Sequence, residues 1–143
     1  MLQKIGFIGL GTVGRHMAVN LLKGNYELTV FDLEPTFVQD LAELGGNAAG
    51  SAFEAAKGRD LVIAIVPEGD ELGPLFFGEN GILAGIDPGT ILADMGSHSL
   101  ETTMKLAEEC ERKKIHYLDA PVWGSKEHAV SGLMTIITSG DPA

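Results

Sequence analysis

Short apolar runs alternate with longer amphipathic stretches along the whole chain. Residues 4–10, KIGFIGL, are apolar and end in glycines, which predicts a buried strand. Residues 13–23 place Val13, Met17 and Leu21 four apart, one stripe of a helix that Gly24 and Asn25 stop. Residues 27–32 predict a second strand. Residues 35–46 predict a helix that opens on Pro35 and closes on two glycines. A short extended piece and a short helix follow over 47–57. Residues 60–66, DLVIAIV, are the most apolar run in the chain and suit a central parallel strand. Residues 68–85 read as broken helix and loop. Residues 89–95 predict a strand and 99–113 the longest helix, with Leu100, Met104, Ala107 and Cys110 along one face. Strands are expected again at 115–120 and 133–139. This order predicts an α/β fold, a doubly wound, mostly parallel sheet with helices on both faces.

Composition narrows the reading. The chain has 143 residues, the size of one domain. Nineteen glycines favour tight turns and close backbone approaches over a helical bundle. The net charge of −10 opposes nucleic acid and anionic membrane as partners, although backbone dipoles still suit a small anion. One cysteine, Cys110, excludes an intramolecular disulfide framework. The first residues lack a signal peptide's apolar core, and no run is long enough to span a membrane, so a cytoplasmic location is expected.

Residues 8–14, IGLGTVG, set Gly9, Gly11 and Gly14 in the spacing G-x-G-x-x-G. The pattern alone is weak, but here a predicted strand precedes it and a predicted helix follows it. Each glycine then has a reason. Gly9 makes the tight turn, Gly11 admits a pyrophosphate to the backbone, and Gly14 lets the helix lie close to the strand. The loop Gly9, Leu10, Gly11, Thr12, Val13, Gly14 would hold the phosphates against the helix N-terminus. Asp32 closes the second strand, 18 residues beyond Gly14, where it can accept hydrogen bonds from the adenosine ribose. It would repel a 2′-phosphate, and residues 33–38 contain no Lys or Arg, so NAD is favoured over NADP. The prediction is a Rossmann-type dinucleotide-binding domain over 1–143. A flavin-binding version of the motif remains open.

The stretch FIGLGTVGRHMAVNLLKGNYELTVFDLEP resembles the N-terminus of the β-hydroxyacid dehydrogenases, the family of 3-hydroxyisobutyrate and 6-phosphogluconate dehydrogenases. Three later stretches resemble the same family in the same order. They are IVPEGDEL, ADMGSHS and LDAPVWGSKEHAVSGLMTIITSGD. The resemblance implies that Val66 and Pro67 line the nicotinamide side of the cofactor and that Ser97 lies near its ribose. It implies that Val122, Trp123, Gly124 and Ser125 hold the carboxylate of a small hydroxy acid or semialdehyde. Gly96, Leu100, Trp123 and Ser125 depart from the family pattern. Trp123 is the largest departure, standing where the family has serine. The resemblance further implies a helical second domain beyond residue 143 that supplies the general acid/base lysine and much of a homo-oligomer contact. No catalytic residue is therefore expected within the chain. A free-standing NAD-binding module that regulates or docks to a protein is the alternative.

The remaining candidates read more plainly. His98 is expected to face solvent from its loop, and Lys126 to be a surface cation that could attract an acid. His16 reads as a surface histidine, His116 and His128 have no partner at metal-ligand spacing, and no metal site is expected. Cys110 is expected to be buried and unreactive.

Overall fold

The computed structural model describes residues 1–140. The strands are β1 (Lys4–Ile8), β2 (Glu27–Phe31), β3 (Asn47–Ala48), β4 (Leu61–Ala64), β5 (Ile91–Asp94), β6 (His116–Asp119), β7 (Val122–Trp123), β8 (Thr135–Ile136) and β9 (Ser139–Gly140). The helices are α1 (Gly14–Lys23), α2 (Pro35–Glu43), α3 (Ala52–Ala56), α4 (Leu72–Phe77), α5 (Ile82–Gly85), α6 (Leu100–Arg112) and α7 (Lys126–Ser131). Seven strands form one sheet in the order β3-β2-β1-β4-β5-β6-β9, parallel except for the last. This is the doubly wound order in which the chain leaves β1 to one side and then crosses to β4 on the other.

The central strand β4 is apolar at every step because both faces of the sheet are covered. Val62 and Ala64 of β4 and Leu92 of β5 point into a core shared with Phe76, Ile82, Leu106 and Cys110. Their neighbours Ile63 and Ala93 point the other way, into a core with Phe7, Ala18, Val30 and Leu41. Successive strand side chains alternate faces, so a run buried on both sides shows no polar alternation.

One expectation is refined and two are corrected. The buried positions of α1 are Gly14 and Ala18, with Met17 and Leu21 only partly covered. The smallest side chains mark the closest approach of helix to sheet, which a stripe of large apolar residues does not reveal. The buried face of α6 carries Leu106 and Cys110, while Leu100 and Met104 are 75% and 54% exposed. At about 100° per residue, Leu100 and Met104 sit roughly a quarter to two-fifths of a turn away from the middle of that face. Residues 133–139 are not one strand. Thr135–Ile136 pairs with β7 in a small separate hairpin, and Ser139–Gly140 pairs antiparallel with β6.

The same region holds an unforeseen helix, α7. Its signals were local: Ser125 caps it in a reciprocal box with His128, and Gly132 ends it at φ 73°. The Asn20 side chain donates to Ala129 O at 2.8 Å, which pins this excursion onto α1. The end of the last resembling stretch, at Asp141, lies outside the described residues.

Cys110 is fully buried. Burial first, and then the charge of Asp94, pushes its thiol up to about 12. It is expected to resist a disulfide reagent in the native protein and to react only as fast as the chain unfolds, which a labelling time course with and without denaturant checks.

Candidate nucleotide-binding cleft

The carboxyl ends of four strands are laced beyond the strands themselves. Gly9 N–H donates to Phe31 O, Ile65 N–H to Ile8 O, Met95 N–H to Ala64 O and Ala120 N–H to Asp94 O, at 2.7–3.0 Å. The segments that follow β1, β4, β5 and β6 therefore start from one level, at the crossover point of the sheet where α/β proteins open a crevice.

Two adjoining hollows occupy that edge. One, about 250 Å³, is lined by Gly9, Gly11, Asp32, Leu33, Phe37 and Val66 among others. The second, about 470 Å³, is lined by Thr12, Val13, Gly14, Gly96, Ser97 and Val122 among others. Gly11, Ile65, Val66 and Pro67 line both, so they form one groove.

Each glycine of the loop is placed differently. Gly9 has φ +102°, and a Cβ on it would stand 2.2 Å from Ile65 O. A Cβ on Gly14 would stand 2.1 Å from Gly9 O and 2.8 Å from Ile65 Cγ2. A Cβ on Gly11 would meet no protein atom within 4 Å and would project into open space. Two glycines are thus needed by the fold itself, and the third leaves room in the groove. No side chain caps the N-terminus of α1, which carries the positive end of the helix dipole.

Asp32 holds the loop from below. Its Oδ2 accepts from Leu10 N–H at 2.7 Å and its Oδ1 from Glu34 N–H at 2.8 Å. A carboxylate offers about four acceptor sites, so about two remain for a ligand's hydroxyls. The Leu10 side chain is fully buried and its N–H is taken by Asp32, so Leu10 shapes the loop from within. Near this end the guanidinium of Arg15 stacks 5.0 Å over the Phe37 ring and pairs with Asp40 at 2.6 Å.

At the other end, Val66 is buried, Pro67 and Ser97 are exposed, and the 122–125 segment closes the groove. Trp123 is 66% exposed. Ser125 N–H donates to His128 Nδ1 at 3.0 Å, so within the 122–125 segment this donor is already engaged. Lys126 is exposed, as read from the sequence.

His98 corrects the expectation of a solvent-facing residue. Its side chain is 0% exposed. Nε2 lies 2.9 Å from Oδ1 of Asp94, itself fully buried, and Nδ1 lies 3.3 Å from Oε2 of Glu68. That second contact is close enough for an ion pair but too poorly aligned for a hydrogen bond, so Nδ1 is left without a hydrogen-bond partner. Asp94 also accepts from Tyr117 OH at 3.0 Å and from Gly96 N–H at 3.2 Å. Burial pulls the His98 imidazole down, but the hydrogen bond and charge of Asp94, joined by Glu68, outweigh it and raise the group above its ordinary value. A raised histidine contributes stability that is complete below about pH 6.5 and lost as pH rises through the raised value. Burial and the charge of Asp94 also raise Asp119. The signal in the sequence was Gly96: a Cβ there would stand 2.6 Å from His98 Cε1 and 2.5 Å from Val66 O, so the turn needs glycine to let the ring fold under it.

The sequence pattern of the NAD binding domain of 6-phosphogluconate dehydrogenase matches residues 4–143. The chain belongs to this family of NAD-binding domains. The domain is 38% identical over 136 residues to 3-hydroxyisobutyrate dehydrogenase of Pseudomonas aeruginosa, a match covering 95% of this chain and 46% of the relative. The solved structure of Mycobacterium tuberculosis 3-hydroxyisobutyrate dehydrogenase with L-serine aligns with TM-score 0.90 at 29% identity, over 99% of this chain and 48% of that one. The structure of Psf3 in complex with NADP+ and 2-OPP aligns with TM-score 0.88 at 26% identity, over 96% of this chain and 49% of that one. The NAD-binding domain spans about half the length of these relatives. Among its described residues no helix is long and apolar enough to cross a membrane.

Proposed function

We propose that this chain is the cofactor-binding half of an NAD-dependent dehydrogenase that interconverts a small 3-hydroxy acid and its semialdehyde. The observation that carries the reading is the single groove running from Asp32, past Gly9 to Gly14, to Ser97 and the 122–125 segment. The bound nicotinamide would supply the hydride chemistry, and the protein's part is to bind, orient and exclude water. Asp32 accepts from the adenosine ribose hydroxyls. The loop of Gly9, Leu10, Gly11, Thr12, Val13 and Gly14 brings the pyrophosphate onto the start of α1. Val66 and Pro67 present an apolar wall to the nicotinamide, and Ser97 is set beside its ribose. Residues Val122, Trp123, Gly124 and Ser125 receive the substrate carboxylate, with fewer backbone donors than the segment's length offers, because Ser125 N–H already serves His128 and β7 is paired with β8. NAD is preferred to NADP because Asp32 faces the 2′ position and Arg15 is already neutralised by Asp40. In the whole protein, the remaining half supplies the lysine that moves the hydroxyl proton. That half also covers apolar groups left exposed here, such as Leu133 and Ile137.

Trp123 is the single tryptophan in the chain, and it neighbours two residues that line the groove. Titration with NADH is expected to quench its emission saturably, because reduced nicotinamide absorbs where indole emits. A quench that stays linear in added NADH, with no saturable heat in calorimetry, would sink the cofactor reading. The substrate reading has its own test. Trp123→Ser in the whole protein is expected to change the preferred acid or semialdehyde while NADH affinity stays within about twofold, since this exposed side chain supports no core packing. An unchanged substrate preference would remove Trp123 from the site.

A further inference from the structure

His98 stands between two segments that line the same groove, residues 65–68 after β4 and residues 95–97 after β5. Its ring faces one carboxylate on each side. Asp94 is held rigidly, by Tyr117 OH at Oδ2 and by Gly96 N–H at Oδ1. Glu68 is about half exposed, and its two oxygens also accept from Ser99 N–H and Thr102 Oγ1, both at 3.2 Å. The Phe76 ring of α4 meets the imidazole edge-on, with centroids 6.1 Å apart. We propose that His98 is a positioning residue for the nicotinamide end of the groove. As an imidazolium between Asp94 and Glu68, it ties the Val66–Glu68 segment to the Gly96–Ser97 turn, so that Val66, Pro67 and Ser97 form one preformed wall. This role rests on the dinucleotide reading above.

The physical reason is the number of donors. An imidazolium carries two N–H groups and can serve both acids, whereas a neutral ring carries one. With Asp94 holding the proton on Nε2, a neutral, buried ring would turn the lone pair of Nδ1 toward the half-exposed Glu68 carboxylate. That arrangement is repulsive, and the acid free to leave is Glu68, because water is beside it. When Glu68 swings away, Ser99 and Thr102 lose their acceptor and the start of α6 loses its tether to the β4 side. The other groups facing this cluster do not replace the tie. Asp119 and Tyr117 on β6 are an acid and a neutral phenol, and Cys110 on α6 stays a neutral thiol.

The test is NADH affinity between about pH 6 and about pH 9, a range in which histidine titrates and NADH does not. In the unaltered protein, affinity is expected to weaken by about fivefold or more as pH rises, in step with the His98 imidazole resonance followed by NMR. His98→Gln is expected to bind at the weakened level with no pH step. Glu68→Gln leaves the buried ring and Asp94 in place and is expected to lose the step as well, so a folding defect in the first variant does not blunt the test. His128→Gln, which alters the other histidine at this end of the groove, is expected to keep it. Equal affinity across the range while His98 titrates would overturn the role, and so would a pH step that survives in either His98→Gln or Glu68→Gln. Absence of saturable NADH binding at every pH would instead sink the dinucleotide reading, and this role with it.

Discussion

Gly11→Ala is expected to leave the fold standing and to remove most of the affinity for NADH. The added methyl meets no protein atom within 4 Å, so the change in stability should stay within about 0.5 kcal/mol. Gly11 lines the groove, and on the dinucleotide reading the backbone of this loop has to touch a pyrophosphate, which an added methyl would hold off. The expected loss is about tenfold or more in affinity, the equivalent of about 1.4 kcal/mol. Gly9→Ala makes the contrast. That residue sits at φ +102°, and its Cβ would stand 2.2 Å from Ile65 O, a backbone atom that cannot turn aside. Left-handed strain and the clash together should cost about 3 kcal/mol or more. Thermal unfolding and NADH titration on the two variants separate the cases. A Gly11→Ala protein that binds NADH as tightly as the parent would show that the groove does not take the cofactor over this loop.

Asp32→Ala is the second large effect, and it combines both consequences. The carboxylate accepts from Leu10 N–H and Glu34 N–H. Removing it leaves the Leu10 donor beneath the loop unpaired, at about 1–3 kcal/mol. It also removes the acceptor for the adenosine ribose, so NADH affinity should fall by about tenfold to a hundredfold, as hydrogen bonds to a charged group are worth about 1.5–3 kcal/mol. NADPH should respond differently, because its 2′-phosphate no longer meets a negative charge. The ratio of NADH to NADPH affinity is therefore expected to shrink by about tenfold or more. Affinities of both cofactors, measured on parent and variant, decide it. An unchanged ratio would remove Asp32 from the 2′ position.

Some of the site was legible before the fold was seen. Gly9, Gly14 and Asp32 were readable because each answers a local demand. The first is a turn at positive φ, the second a helix start packed on a strand, and the third a strand end beside both. The hairpin and helix over 122–136 were less so, because their two-residue strands are too short to show a period, although Ser125, His128 and Gly132 marked the helix ends. His98 was expected to face solvent and is buried. Its partners lie at positions 68 and 94, one on the loop after β4 and one at the end of β5, and nothing in the spacing of apolar residues announces a buried ion pair. The stripe on α6 failed for a related reason. Leu100 and Met104 are apolar yet exposed, and helical periodicity shows which residues share a face without showing which face meets the sheet.

Residue order alone was enough for the parallel α/β architecture, because both-sided burial requires unbroken apolar strands and short connections leave few topologies. It was also enough for the glycine loop and its acid, since those contacts are between neighbours in the chain or consecutive strands. Tertiary packing decided the rest. It brought Glu68, Asp94, His98 and Tyr117 together from three strand ends and the loops beyond them. It also turned the apolar start of α6 outward. These are properties of groups distant in sequence whose energies depend on burial and on one another's charge, and burial is not defined until the chain has folded.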